Sequence, residues 1–538
     1  MNARTTKRPV GMRLLAGSIS FLLLAVLVVA GDQQPVTRIG QEVAVPQHLQ
    51  DDQEHVIPLS QLLAHGKKLF MANWTEQEGG GRPQTKGNGV PLSDPSQPLS
   101  GPRSFNRLSG PDANSCYACH NMPEGASGGG GDFVTNVFVL GQRFDFITFD
   151  VTDRLPTKGA VDEEQKTVNL QSAGNMRATP GMFGAGYLEM LARQMTAELQ
   201  QIRDALELGE TKPLVAKSVS FGRLTREKNG SWNISAVEGL PRASVVAPTP
   251  LDPPTLIVRP WHQVSNVVSL REFTNTAFNQ HHGIQSTERF GSNTDPDGDG
   301  FVNELTRADV TSLAVYQATL AVPGRVIPND PVIEAAVANG EEVFEKVGCS
   351  SCHLSKLPLQ KSGWMFTEPG PYNPPLNLRV GATRTLAVNL NSRELPLPRL
   401  APDPTDPDTV WVPAYTDFKL HDIMDPESPS EPLDQNQTPW TPKFRLGNRR
   451  FLTKRLWGAA NEPPFFHHGL YTTMRQAVLA HSGEALGSRT QFERLKTYDQ
   501  DSVIEFLKTL QVLPPGTPHL VVDEHFREKR WPKKVGSS

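Results

Sequence analysis

Gly340-Glu341-Glu342-Val343-Phe344-Glu345-Lys346-Val347-Gly348-Cys349-Ser350-Ser351-Cys352-His353 is the stretch on which the reading of this chain turns. A helical run, Val332 to Val347, leads straight into C-x-x-C-H. A second copy, Cys116-Tyr117-Ala118-Cys119-His120, uses the other two cysteines, so all 4 in the 538 residues fall in two identical motifs. Two thiols three residues apart on a helical turn can add to the two vinyl groups of one porphyrin, and the histidine that follows then lies beneath the iron. A four-thiolate zinc site leaves both histidines unexplained, and a redox C-x-x-C belongs after a strand in a βαβ unit. The spacing therefore predicts two covalently attached c-type haems, on Cys116, Cys119 and His120 and on Cys349, Cys352 and His353.

Outward from the motifs, the run Gly340 to His353 is similar to the first helix of a c-type cytochrome. A weak internal repeat supports duplication: Gly66 to Phe70 and Gly340 to Phe344 share Gly-x-x-[Leu/Val]-Phe. Cys349 follows Phe344 by five residues, whereas Cys116 follows Phe70 by 46, so an insertion interrupts the first unit. Thr179 to Ala185 parallels Thr453 to Ala459 in the same way. Helices are expected at Leu59 to Trp74, Leu188 to Leu208, Thr306 to Ala321, Val332 to Val347, Met474 to His481 and Asp501 to Leu510. A strand is expected at Phe133 to Leu140, after the glycines Gly128 to Gly131. Pro358 to Pro442 is dense in proline and reads as a wrap of loops. The expected class is mainly α, with two cytochrome c-like haem domains, long ordered loops and few short strands. Val322 to Pro331 is the best boundary, giving an N-terminal haem domain over 31–325 and a C-terminal one over 326–538.

Residues 1–30 read as an export signal. Arg4, Lys7, Arg8 and Arg13 precede 17 uncharged residues, Leu14 to Ala30, and polar chain begins at Gly31. Retention as an anchor is the alternative, since 17 residues reach the lower limit for a spanning helix, and membrane contact is expected only in that case. The net charge is −4 with 20% charged residues and no long basic run, which argues against a nucleic-acid partner. Removing the leader takes four basic groups and no acid, so the mature chain is more acidic still. An acidic, exported, cysteine-poor chain fits the bacterial periplasm.

The sixth position of each iron decides the chemistry. A second strong ligand makes an electron carrier, whereas an open position admits peroxide or dioxygen. Of the 14 histidines, twelve lie outside the motifs. His481, at the end of the helix downstream of the second motif, is the leading sixth ligand there, with His467 and His468 as rivals. In the first half, Trp261-His262-Gln263 and Asn279-Gln280-His281-His282-Gly283 concentrate polar and aromatic groups. Glu189, His281 and His282 are the candidate catalytic residues, because splitting peroxide needs a Glu or His to move a proton. Asp295-Pro296-Asp297-Gly298-Asp299-Gly300 is a calcium-type loop, with Asn303 or Glu304 standing in for the glutamate that an EF-hand carries at position 12, here Thr306.

These residues together resemble the di-haem oxidoreductase family of peroxidase-like proteins. Its relatives are the bacterial di-haem cytochrome c peroxidases, the methylamine-dehydrogenase maturation enzyme and the di-haem rubber oxygenases. The matching segments are Ser115 to Pro123 with Phe133 to Gln142, Ser269 to Phe290, Asn303 to Thr306, Phe366 to Pro375, Tyr415 to Asp422, and Leu456 to Ala485. The resemblance implies a reactive N-terminal haem and a C-terminal haem relaying electrons from a small donor protein of cytochrome c or cupredoxin type. It places the second haem's sixth ligand at His481 and implies calcium between the domains. Two departures touch the second haem: His468 stands where the family has Asp, and Thr453-Lys454-Arg455 where it has Thr-Pro-Pro. The implied function is periplasmic peroxide reduction. A di-haem oxygenase or protein-modifying oxidase is the second reading, and a non-catalytic electron carrier the third.

Overall fold

The computed structural model describes residues 39–80, 114–121, 128–129, 136–140, 174–295, 299–425, 431, 434, 436–437 and 441–532. The leader, Asp297 and the first three residues of the expected strand, 133–135, lie outside the described residues; its remainder is the strand Asn136–Leu140. Glu42–Ser538 forms one compact unit.

Two helix pairs organise that unit, and they repeat each other. Helix α1 (Leu59–Met71) buries Leu62, Gly66, Leu69 and Phe70, a spacing that lines one helical face. Helix α2 (Ala185–Asp204) follows the first motif, and helix α3 (Leu270–Ala277) continues into a π-helical turn, Phe278–His282. Helix α4 (Arg307–Ala318) begins at a capping box between Thr306 and Asp309 and is buried on every side. Helix α5 (Pro331–Lys346) is capped by Asp330 with proline in its first turn, and α6 (Met474–Ala480) and α7 (Thr497–Lys508) close the set. Gly66 packs α1 onto α4, where a Cβ would collide with the Ser312 carbonyl; Gly340 packs α5 onto α7, where it would collide with that of Ser502. Phe70 then meets Tyr316 at 5.5 Å between ring centroids, and Phe344 meets Phe506 at 5.3 Å. The repeated glycine and phenylalanine are thus the close-approach point and the anchor of two equivalent helix crossings.

Strands form sheets of two or three. The longest pair, Glu210–Ala216 with Val219–Arg226, is a hairpin that the sequence reading missed. Its inner face carries Leu214, Ala216, Val219, Phe221 and Leu224, all buried. Its two-residue loop, Lys217-Ser218, has both φ angles positive, as a type I′ turn requires. The proline-rich stretch is ordered by short pairs: Leu357–Gln360 with Thr409–Val412, Met365–Glu368 with Leu386–Asn389, and Leu420–Asp422 with Arg450–Leu452.

Asp309 ties the N-terminal segment to α4. Its fully buried carboxylate bonds His48 Nδ1 and His65 Nε2, each at 2.7 Å, and accepts from the Leu49 backbone at 3.1 Å. Burial pushes its pKa up, but the two histidines outweigh that and hold it near about 2 against an ordinary 3.8. A depressed folded pKa stabilises above the unfolded value and is lost as pH falls through the folded one, a contribution of about 2 kcal/mol. Asp309→Asn should therefore unfold at lower temperature at pH 7, with its gap from the wild type closing as pH falls from about 4 to about 2. A gap unchanged at low pH would show that the carboxylate is not charged in the fold.

Candidate haem-binding cavities

In both motifs one tight turn brings the two cysteines to the same side. The His120 amide donates to the Cys116 carbonyl at 2.9 Å, and the His353 amide to that of Cys349 at 3.1 Å. The repeated phenylalanines pack beside these histidines, Phe70 at 6.1 Å from His120 and Phe344 at 6.4 Å from His353. None of the four cysteines forms a disulfide; all are partly exposed, and each pair lines a cavity. Burial pushes the Cys349 thiol up to about 11 and raises the Cys116 thiol as well, so neither is a resting thiolate.

The second cavity, partly open to solvent, is lined by Cys349, Cys352, His353, Phe451, Phe466 and His481 among others. His353 directs Nδ1 to the Tyr415 carbonyl at 3.1 Å, and His481 directs Nδ1 to the Ala477 carbonyl at 2.7 Å. Those bonds place the proton on Nδ1 and leave Nε2 of each ring as a lone pair, the arrangement that metal-ligating histidines use. The two ring centroids stand 6.5 Å apart. Two metal–nitrogen bonds of about 2 Å, each continued by an imidazole radius of about 1.1 Å, put trans ligands about 6 Å apart. Helix α6 is half-buried: Met474 and Val478 pack on the cluster of Phe344 and Phe506, Ala477 packs on that of Phe451 and Phe466, and all three also line the cavity, which gives it an apolar wall. The residues present fit a haem.

Beside this cavity His421 is clamped by Asp417 at 2.8 Å and Glu484 at 2.7 Å. Burial would lower its pKa, but the two carboxylates and Cys352 raise it to about 11, which keeps a fixed positive charge at the cavity wall. His467 does not face His353 as His481 does. It stacks on Phe451 at 3.7 Å, and its carbonyl accepts from the Ala178 amide at 2.9 Å. His468 accepts from the Leu470 amide at 3.0 Å and is not part of the lining.

The first cavity is lined by Cys116, Cys119, His120, Arg177, His262 and Phe273, with His281 and His282 on the π-helical turn. Burial lowers the His120 pKa to about 4, against opposing backbone contacts from Pro180 and Gly129. Here the rings at about the distance His481 takes from His353 are those of Phe70 and Phe273, 6.1 and 6.4 Å from His120. Phenylalanine has no lone pair to offer. His262 lies edge-on to Phe273 at 5.3 Å, and burial together with the Arg177 charge lowers its pKa to about 4. His282 brings Nε2 to 3.7 Å from Cys116 Sγ, at the attachment edge. Gln263 lines both cavities, so the wall between them is one residue thick. Its side chain donates to the Ala178 carbonyl at 3.2 Å, and its carbonyl accepts from the Leu452 amide at 2.8 Å.

The other expected residues fall elsewhere. Glu189 is fully buried away from either lining: Arg193 binds its Oε1 at 2.6 Å and the Leu270 amide its Oε2 at 2.7 Å. Asp295 spends both oxygens on the amides of Asp299 and Gly300, at 3.0 and 2.9 Å. Asn303 pairs with Asn293, and Glu304 accepts from the Gln285 amide. Asp297, the middle carboxylate of the expected calcium loop, lies outside the described residues. Phe273, Arg177 and His421 were not singled out from sequence. Phe273 and His421 each had a signal, their places in the Ser269 to Phe290 and Tyr415 to Asp422 segments, and Arg177 had none.

No family model and no curated protein matches the chain. Among solved structures, hydrazine synthase of Kuenenia stuttgartiensis aligns with a TM-score of 0.25 and 16% identity, covering 60% of this chain and 87% of that one. A MauG-like protein associated with microbial copper homeostasis aligns with a TM-score of 0.24 and 14% identity, covering 54% and 80%. Scores this low do not establish a shared fold. Among the described residues no helix is long and apolar enough to cross a membrane.

Proposed function

We propose that this chain is an exported, periplasmic di-haem c-type oxidoreductase that reduces peroxide at its first cavity with electrons relayed through its second. The observation that carries the reading is the asymmetry of the two sites. His353 stands 6.5 Å from a second imidazole, that of His481, whereas the rings recorded at comparable distance from His120 are Phe70 and Phe273, neither with a lone pair. A haem supplies a redox iron that passes single electrons when protein holds both axial positions and takes up a small oxidant when one is open. Each set of motif residues would hold one such group, Cys116, Cys119 and His120 in the first cavity and Cys349, Cys352, His353 and His481 in the second. The two units would then be cytochrome c-like, each built on one of the repeated helix crossings.

The chain's own work at the first cavity is to keep a proton carrier beside the open face. His262 suits it better than Glu189, whose oxygens are already bonded. Its depressed pKa keeps it neutral at pH 7, with a ring nitrogen able to take a proton from an incoming peroxide and return it to the departing oxygen. Phe273 and Phe70 exclude water around it. Gln263 keeps the path between cavities short, and the fixed charge of His421 favours the electron-rich state of the second site. A small cytochrome or cupredoxin is the proposed donor.

The test is the spin state of each iron in the purified protein before and after half-reduction, followed by peroxide. One low-spin and one high-spin centre, with donor-dependent peroxide loss, is the expected result. Two low-spin centres that bind neither peroxide, cyanide nor carbon monoxide would leave only an electron carrier. His481→Ala should turn the low-spin signal high-spin and leave the other haem untouched. An unchanged spectrum would hand the ligand role to His467 or His468.

A further inference from the structure

Outside the two cavities, Glu54 is a buried acid with one carboxylate oxygen that makes no hydrogen bond. It sits in the short 3-10 turn Gln53–His55 with its side chain 2% exposed, and the oxygen is Oε2. Oε1 lies 3.6 Å from His55 Nε2, a contact too long for a hydrogen bond. His55 Nε2 lies 3.4 Å from the Thr383 hydroxyl, which donates to Asp52 Oδ1 at 3.1 Å. One ligand atom from each of Asp52, Glu54 and His55 lies within 4.8 Å of the others. Arg307, the cation that reaches this segment, is committed to Asp51 at 2.6 Å.

We propose that Asp52, Glu54 and His55 bind one divalent transition-metal ion of the zinc class, which pins the N-terminal segment to the Thr383 loop. Donors held about 2.1 Å from one tetrahedral ion stand about 3.4 Å from each other; here Glu54 Oε1 and His55 Nε2 are 3.6 Å apart and all three donors lie within 4.8 Å of one another. The imidazole selects against calcium and magnesium, which take oxygen ligands, and favours zinc and its neighbours. Burial, with Asp51 and Asp52 nearby, raises the Glu54 pKa, a cost that a bound cation removes. Asp52 is exposed and gives the ion a way in. The other metal-capable group among the described residues, Cys352 with Asp417 and His421, shares a thiol with the second cavity and is not independent of it.

The test uses the haem-loaded full chain, stripped with chelator, dialysed against zinc chloride and assayed for metal content and by calorimetric titration. One zinc per chain beyond the haem iron is expected. Glu54→Gln and His55→Ala should each weaken zinc binding at least tenfold with the haem spectrum unchanged. Asp52→Asn, at an exposed position, should weaken it too and covers the case in which Glu54→Gln fails to fold. A wild-type chain that retains no stoichiometric zinc overturns the site. So does wild-type affinity in both His55→Ala and Asp52→Asn, which would place the zinc on other histidines.

Discussion

Replacing Cys116 and Cys119 together by alanine should cut donor-dependent peroxide reduction at least about a thousandfold, equivalent to about 4 kcal/mol of barrier. The same variant should retain one haem per chain with its low-spin spectrum unchanged. The first cavity holds its group through those two thiols and His120, and every polar group proposed for proton transfer, His262, His281 and His282, faces that cavity. Without the group they have nothing to act beside. The matched variant, Cys349→Ala with Cys352→Ala, separates the roles. It should lose turnover supported by a protein donor but keep peroxide binding at the remaining haem, because His120 and Phe273 stand apart from the second lining. Haem content by the pyridine adduct and mass, with peroxide difference spectra, reads both variants. If the Cys116 and Cys119 variant keeps turnover and the Cys349 and Cys352 variant loses peroxide binding, the two cavities have been assigned the wrong way round.

How much of this was legible follows from where each signal is stored. Attachment motifs are local: five consecutive residues carry Cys349 to His353, and the tight turn that closes them needs no distant partner. The repeated Gly-x-x-[Leu/Val]-Phe was legible for a related reason, since Gly66 and Gly340 answer the same steric demand, a carbonyl of the crossing helix at the Cβ position. The partners in those crossings, Ser312 and Ser502, left no trace in spacing. Lys217-Ser218 shows the opposite case. A type I′ turn favours Asn-Gly, and this one uses residues with no such preference, so the hairpin stayed hidden until its strands paired. Glu189 was chosen because it neighbours a plausible segment in sequence. In space its helix turns it toward Arg193, four residues on, and away from the cavity. Phe273 in place of a ligand is the least legible feature and the most consequential one, because a lone phenylalanine in a helix ordinarily means core.

The same helix carries the second large effect. Arg271 has a side chain with no exposure, and all five of its N–H donors are used. They go to Glu288 on Thr287–Phe290, to Glu368 on Met365–Glu368, and to the Thr311 hydroxyl and Arg307 carbonyl of α4. Arg271 therefore fixes α3, which carries Phe273 into the first cavity, against three other elements. Arg271→Ala strips Glu288 of its buried cation and leaves Glu368 only Arg193, at 3.8 Å, and breaking a buried pair this way costs about 3–5 kcal/mol. Glu368→Gln should behave quite differently. Burial is the main cause that raises the Glu368 carboxyl to about 7, with Arg271 and Arg193 pulling it down and Glu189 adding to the rise. An acid whose folded pKa exceeds its unfolded 4.5 stabilises the fold while protonated, and that contribution is lost as pH climbs from 4.5 through 7. At pH 5 the amide should therefore cost little, as a near-isosteric stand-in for the protonated acid. At pH 8 Glu368→Gln should unfold at the same temperature as the wild type or higher, while Arg271→Ala should unfold far below it. A Glu368→Gln penalty that grows with pH would mean that the carboxylate, held by Arg271 and Arg193, is the form the fold requires.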